Sequence, residues 1–233
     1  MNVPVVTLDG PAGAGKGTIA AALAKALGWH YLESGVLYRA VALLALRQGV
    51  AADDVGQLVT IARDMDVDFF LPDSGPACTR INGEFVAEAL RHESCAGRAS
   101  QIAALPALRD ALLAVQRGFR RAPGLVADGR DMGTVVFPDA EVKIYLTASP
   151  WERAERRHKQ LITKGGDGSL RALFSELIER DRRDRERAVA PLRPASDAVV
   201  VDTTGVPIEG VLARVTEILR QRLPASSTGP GVA

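Results

Sequence analysis

Short apolar runs alternate along this chain with longer stretches in which apolar positions recur every three or four residues. The first kind of pattern is that of buried strands and the second that of helices lying on them. Their alternation predicts a parallel sheet covered by helices. Strands are expected at Val5–Leu8, Trp29–Glu33, Leu125–Ala127, Val142–Leu146 and Ala198–Val201. Helices are expected at Lys16–Leu27, closed by Gly28, and at Val36–Gln48, opened by Ser34-Gly35 and ended by Gly49. Others follow at Val55–Met65, at Pro106–Arg121 with proline in the first turn, and at Ile208–Arg222.

Two stretches break this rhythm. Val67–Leu71, Thr79–Asn82 and Glu84–Val86 are short β-like pieces separated by turn residues, and they read as a small antiparallel insertion outside the main sheet. Pro150–Val189 is a long charged helical region interrupted at Gly165-Gly166-Asp167-Gly168. The Ser/Gly/Pro-rich segment 224–233 is expected to be disordered.

The first strand runs into Gly10-Pro11-Ala12-Gly13-Ala14-Gly15-Lys16-Gly17-Thr18. Gly10-x4-Gly15-Lys16 between a strand and a helix is the spacing of a phosphate-binding P-loop. Glycines let successive backbone N–H groups turn onto an anion, the helix N-terminus adds partial positive charge, and Lys16 adds a full one. The alternative is a glycine-rich turn with an incidental lysine. The hydroxyl of the general motif stands one place late, at Thr18, which leaves direct metal ligation open. The Gly-Lys-Gly-Thr form points to small-molecule kinases, and no Asn-Lys-x-Asp guanine-reading segment is present.

In a parallel sheet, ligands bind beyond the carboxyl ends of the strands. The P-loop marks that edge, so the segments after the other strands become candidates. Ser34 and Arg39 follow the second strand, and Asp128-Gly129-Arg130-Asp131 follows the third core strand. Taken singly, Ser34 reads as a helix cap, and Arg39 could be a solvated residue and the aspartate pair an ordinary turn. Arg109 falls within the apolar stripe of its helix, so it must either snorkel or meet a specific acceptor. Over 179–187, helical spacing puts Arg180, Arg183, Asp184 and Arg187 on the face of Leu173 and Leu177, with Asp181, Arg182 and Arg185 pointing elsewhere. Arginines sharing an apolar face imply an anion, although most such charge runs are salt-bridged surface helix. Arg153, Arg156, Arg157 and Lys159 form a further basic segment, readable either as a mobile cover over a nucleotide or as exposed helix.

Composition narrows the function classes. A formal net charge of +1 and an aromatic content of 5% argue against nucleic-acid binding, which uses excess positive charge and stacking platforms. Cys78 and Cys95 have neither metal-site nor disulfide-framework spacing, and His30, His92 and His158 form no cluster. No apolar run approaches a membrane span. The expectation is a soluble cytoplasmic protein, with nothing in the chain demanding a partner subunit, hence a monomer.

The segments Gly10–Thr18, Ser34–Arg39, Gly129–Pro138 and Asp181–Leu192 together resemble the bacterial cytidylate (CMP/dCMP) kinases, a P-loop nucleoside monophosphate kinase family. The likeness runs from about Val5 to about Asp202, and the last two segments are its most specific part. The resemblance implies a single kinase domain over 1–223 with a five-stranded parallel sheet. Its core would be 1–50, 105–150 and 190–223, its acceptor-binding insertion about 51–104, and its helical lid about 151–170. It implies ATP with Mg²⁺ as donor, CMP or dCMP as acceptor, and Gly10 to Thr18 (Gly10, Pro11, Ala12, Gly13, Ala14, Gly15, Lys16, Gly17, Thr18) as the ATP loop. Ser100, Arg109 and Asp131 would meet cytosine, with Ser34 alongside. Arg39 and Arg130 would hold the acceptor phosphate. Arg180 and Arg187 would face the phosphates, and Asp184 would lie near the acceptor ribose. Lys16, Arg130, Arg180 and Arg187 would be the catalytic cations. Glu33 and Val36 depart from the usual family residues and are expected to touch no substrate. Outside this family, a kinase for UMP or shikimate and a P-loop nucleotide sensor without turnover remain as alternatives.

Overall fold

A computed structural model describes residues 3–163 and 165–223. The expected tail, 224–233, lies outside the described residues. Five parallel strands form the central sheet: β1 (Val5–Asp9), β2 (His30–Glu33), β6 (Leu125–Gly129), β7 (Val142–Thr147) and β8 (Val199–Asp202). Their order in space is β2-β6-β1-β7-β8, which puts β1 at the centre with β6 and β7 on its flanks.

Because side chains alternate across a strand, neighbouring residues enter different cores. Val5, Leu125 and Ala127 face one layer, where they meet Leu37, Val41, Leu108 and Leu112. Val6, Leu8 and Val126 face the other, against Ile19, Leu23, Val211 and Val215. The first layer holds α2 (Ser34–Arg47), α3 (Val55–Asp64) and α5 (Pro106–Gly118). The second holds α1 (Lys16–Leu27) and α8 (Ile208–Arg222).

The insertion is a three-stranded antiparallel sheet of β3 (Val67–Phe70), β4 (Cys78–Ile81) and β5 (Glu84–Phe85). Asn82-Gly83, both at positive φ (48° and 84°), joins β4 to β5 as a tight hairpin. It is followed by α4 (Glu93–Ile102), which packs on α2. The apolar pattern does not announce α4: its sequence, with Gly97 and two serines, has few apolar positions to carry a period. The charged region resolves into α6 (Pro150–Thr163) and α7 (Leu170–Glu186), broken at the expected glycines.

Candidate active site

The P-loop closes on itself before it meets any ligand. Gly10 lies so close to the β7 backbone that a Cβ there would fall 1.9 Å from the Leu146 carbonyl oxygen. Lys16 is the first residue of α1 and is buried. Its ammonium donates to the Pro11 carbonyl at 2.9 Å and stands 3.9 Å from Asp128. Burial, with Arg130 and Arg180 nearby, pushes its pKa well below the ordinary lysine value, while Asp128 and Asp9 oppose the shift. The arrangement stores positive charge that an incoming phosphate would stabilise.

Asp9, the last residue of β1, fixes the opposite wall. Its two carboxylate oxygens accept the Met132 and Gly133 backbone N–H groups, each at 2.8 Å. Burial raises its pKa to about 6, and those two amide bonds hold it from rising further. The anchored segment forms a single π-helical turn over Met132–Val136. Arg130 and Asp131 are thereby presented at the end of β6.

Arg130 donates to Asp184 at 3.1 Å, joining β6 to α7. Arg109 does not snorkel: its guanidinium pairs with the Asp131 carboxylate, donates to the Ala103 carbonyl at 3.1 Å, and lies over the Tyr38 ring. Arg187 stands beside the same corner, 3.8 Å from Asp131, with its Nε bonded to the Ala190 carbonyl at 2.6 Å. Its Nη2 is buried without a hydrogen-bond acceptor, and so is Nε of Arg180. Burial together with Arg130, Arg39 and Arg157 pushes the Arg180 pKa down against the pull of Asp184. Buried guanidinium donors without acceptors, crowded by other cations, are suited to an anionic ligand.

One cavity of about 800 Å³ brings Lys16, Asp128, Arg39, Arg130 and Arg180 together, while Arg109, Asp131 and Asp184 are not part of its lining. The loop from Ala12 to Thr18 forms one wall, and Arg39, Arg130 and Arg180 face it across the opening. Gly10 and Pro11 lie behind that wall. Seven cationic side chains line the cavity against three carboxylates, so its charge favours a polyanion. Arg187 is not part of this lining; it stands with Asp131, Arg109 and Tyr38 in the adjoining corner. Val206, Pro207, Ile208 and Val211 supply an apolar shelf in the lining beside Thr203, which no motif in the sequence indicated.

The inward face expected for α7 and the exposure expected for Arg153 need correction. Glu33, for its part, lines the cavity, since it ends the strand that points into it. Ser34 is the first residue of α2, with Glu33 rather than Ser34 at the N-cap; it packs where a Cβ on Gly129 would come within 2.6 Å of its hydroxyl. Ser100 is half-buried on α4, and among the described residues no side-chain hydrogen bond ties it to Arg109 or Asp131. On α7 the buried stripe is Leu173, Leu177 and Asp181, whereas Arg183 is exposed and pairs with Glu179. Asp181 turns inward because Arg153 of α6 reaches it at 2.6 Å. Arg153 is therefore not a solvated surface residue: it is 1% exposed. Arg156 is also anchored, donating to the Thr203 carbonyl at 2.6 Å, which leaves Arg157 and Lys159 as exposed cations at the cavity mouth.

Residues 6–221 match the family model described as cytidylate kinase. The chain belongs to the cytidylate kinase family. It is 53% identical over 215 residues to the cytidylate kinase of Nitrosococcus oceani, covering 92% of this chain and 95% of that one. It is 54% identical over 224 residues to that of Aeromonas salmonicida, covering 96% and 97%. An uncharacterized protein from Eubacterium ventriosum shares the fold at a TM-score of 0.51 and 8% identity, covering 94% of this chain and 99% of that one. No described helix is long and apolar enough to cross a membrane.

Proposed function

We propose that this cytidylate kinase family member transfers the γ-phosphate of ATP to CMP or dCMP, giving ADP and CDP or dCDP. The observation that carries the reading is the shared cavity, in which the phosphate loop and Lys16 face Arg39, Arg130 and Arg180. The donor's phosphates lie along Gly10–Thr18, and its base rests on the shelf from Val206 to Val211. The acceptor phosphate lies between Arg39 and Arg130. Its cytosine turns toward Asp131, held by Arg109, with Ser34 and Ser100 alongside, and its ribose lies near Asp184.

The attacking group is a phosphate oxygen, and a phosphomonoester with a second pKa of about 6 is already largely ionised at neutral pH. The protein therefore needs no general base. Its task is to bring two anions together and to hold the charge that shifts to the leaving β-phosphate. Lys16, the loop amides, Arg130 and Arg180 supply that charge, and Arg187 supports it from the adjoining corner. Closure of the segment about 151–170, carrying Arg157 and Lys159, excludes water from the transfer. The insertion about 51–104 is the second moving part, on a core of 1–50, 105–150 and 190–223.

The donor set suits Mg²⁺ as an ATP-borne ion. Among the described residues no cluster of three or more ligating side chains offers a cage. Asp128 and Glu33 line the cavity as hard oxygen donors, and burial raises the Asp128 pKa although Lys16 and Arg130 oppose the shift. Phosphate and water oxygens complete such a site. Mg²⁺ supplies neutralisation of the β- and γ-phosphate charge. The near-neutral charge of the chain and its two free cysteines fit a cytoplasmic monomer without nucleic-acid partners.

An acceptor panel of CMP, dCMP, UMP, dTMP, AMP and shikimate with ATP-Mg²⁺, read as ADP release, tests the assignment. CMP and dCMP are expected to lead. A lead by UMP or shikimate contradicts the acceptor assignment, and ATP binding without turnover on any acceptor contradicts the enzyme reading.

A further inference from the structure

The first turn of the P-loop is held from behind by a single side chain. Arg153 donates through Nη1 to the Ala12 carbonyl and through Nε to the Ala148 carbonyl, each at 3.0 Å, and through Nη2 to Asp181. One guanidinium thus joins the loop, the end of β7, α6 and α7. Gly13 lies flat on the same turn of α6, where a Cβ would come within 3.0 Å of the Arg153 Cβ. Asp181 follows Arg180 on α7, so whatever fixes Asp181 also aims that cavity cation beside it.

As a source of stability the pair is poorly built. Both side chains are almost wholly buried, Asp181 Oδ1 has no hydrogen-bond partner, and Arg185 is 3.8 Å away, beyond bonding reach. Buried pairs of this kind are often replaced by apolar residues without loss of stability. The contact already has an apolar core of its own in Ala12, Ala154 and Leu177, with Leu170 and Phe174 packed against it. Apolar replacements cannot hold two backbone carbonyls. That task belongs to the guanidinium.

We propose that Arg153 and Asp181 are positioning residues for phosphoryl transfer. Asp181 aims Arg153, and Arg153 keeps the Ala12 carbonyl turned out of the cavity, so that the loop amides face the phosphates. The same contact sets α7 so that Arg180 faces the loop. The inference rests on the reading that this loop holds the donor phosphates.

The test is the full-length double variant R153M/D181L, assayed for its unfolding midpoint, kcat, and KM for ATP and CMP separately. It is expected to fold with a midpoint near that of the parent protein, since the apolar pair replaces a costly ionic one. Its kcat is expected to fall about 10²-fold, the scale of a 1 Å misplacement of reacting groups. KM for ATP should rise while KM for CMP changes little. A folded double variant with parental kcat and ATP KM overturns the proposal.

Should the double variant fail to fold, R153K decides. Lysine keeps the charge but loses the fork that reaches both carbonyls, so kcat and ATP KM should shift in the same directions by less. Parental kinetics in R153K overturn the proposal. Lys16→Ala separates the two levels. Normal turnover there removes the phosphate-loop reading, whereas an impaired Lys16→Ala beside an unimpaired R153M/D181L removes the positioning role alone.

Discussion

Lys16→Ala is expected to lower turnover by about 10²–10³-fold, the range for losing one preorganised donor at developing charge, while CMP affinity stays within about twofold. The ammonium is buried on the donor side of the cavity, bonded to its own loop through Pro11, and it leaves the acceptor corner untouched. The fold should survive. Asp128, already raised to about 7 by burial, takes up a proton when its nearest cation is removed. The same group sets an alkaline limit on donor binding. Because the Lys16 pKa is lowered in the free protein, its proton is lost at lower pH than an ordinary lysine's. A bound polyphosphate favours the charged form and raises that pKa. ATP affinity should therefore hold below the free-state pKa and decline as pH rises through it. Calorimetric titration of ATP across neutral and alkaline pH should show this decline in the parent protein and not in Lys16→Ala. A variant with near-normal turnover would remove Lys16 from the mechanism.

Asp131→Ala should affect stability and specificity together. Arg109 is buried on the apolar stripe of α5, and Asp131 is its carboxylate partner. Truncating one member of a buried pair leaves the other charge uncompensated, at a cost of about 3–5 kcal/mol. Arg187, 3.8 Å from the same carboxylate, loses its neighbour too. The carboxylate can accept from the cytosine N4 amino group, whereas uracil offers the O4 acceptor there, so discrimination for CMP over UMP should shrink by about 1–3 kcal/mol. Asp131→Asn separates the two effects, since it keeps the shape of the side chain while removing the charge. Unfolding midpoints and kcat/KM for CMP and UMP measure both. An unchanged CMP/UMP ratio in a folded variant contradicts the cytosine assignment.

What the sequence made legible depended on backbone requirements. The P-loop spacing and the strand-ending segments each need particular residue types where the chain turns or meets a ligand. Those constraints are local, and they located the cavity wall at Ala12–Thr18 and the groups Arg39 and Arg130, while Arg180 was legible from helical spacing. What stayed hidden depended on partners distant in sequence. Asp181 reads as an outward residue on a charged helix until Arg153, 28 positions earlier, is brought against it by the α6–α7 hairpin. Its burial displaces the inward face of α7 toward Asp181 and leaves Arg183 in solvent. Asp9 reads as a flank of the P-loop, and its bonds to Met132 and Gly133 arise from the pairing of β1 with β6. Glu33 reaches the cavity for a similar reason, because β2 ends at the ligand edge beside β6. The shelf from Val206 to Val211 is ordinary apolar sequence, and only the position of β8 gives it a ligand to face.

The central claim is that one cavity holds two phosphate esters face to face, and a ligand spanning both positions tests it most directly. Adenosine and cytidine joined 5′ to 5′ through five phosphates carry both bases and the bridge between them. Calorimetry should show one molecule bound per chain, more tightly than ATP or CMP alone and displaced by either. Two independent binding events per chain, or an affinity no greater than that of ATP, would mean that the donor and acceptor groups open onto separate sites.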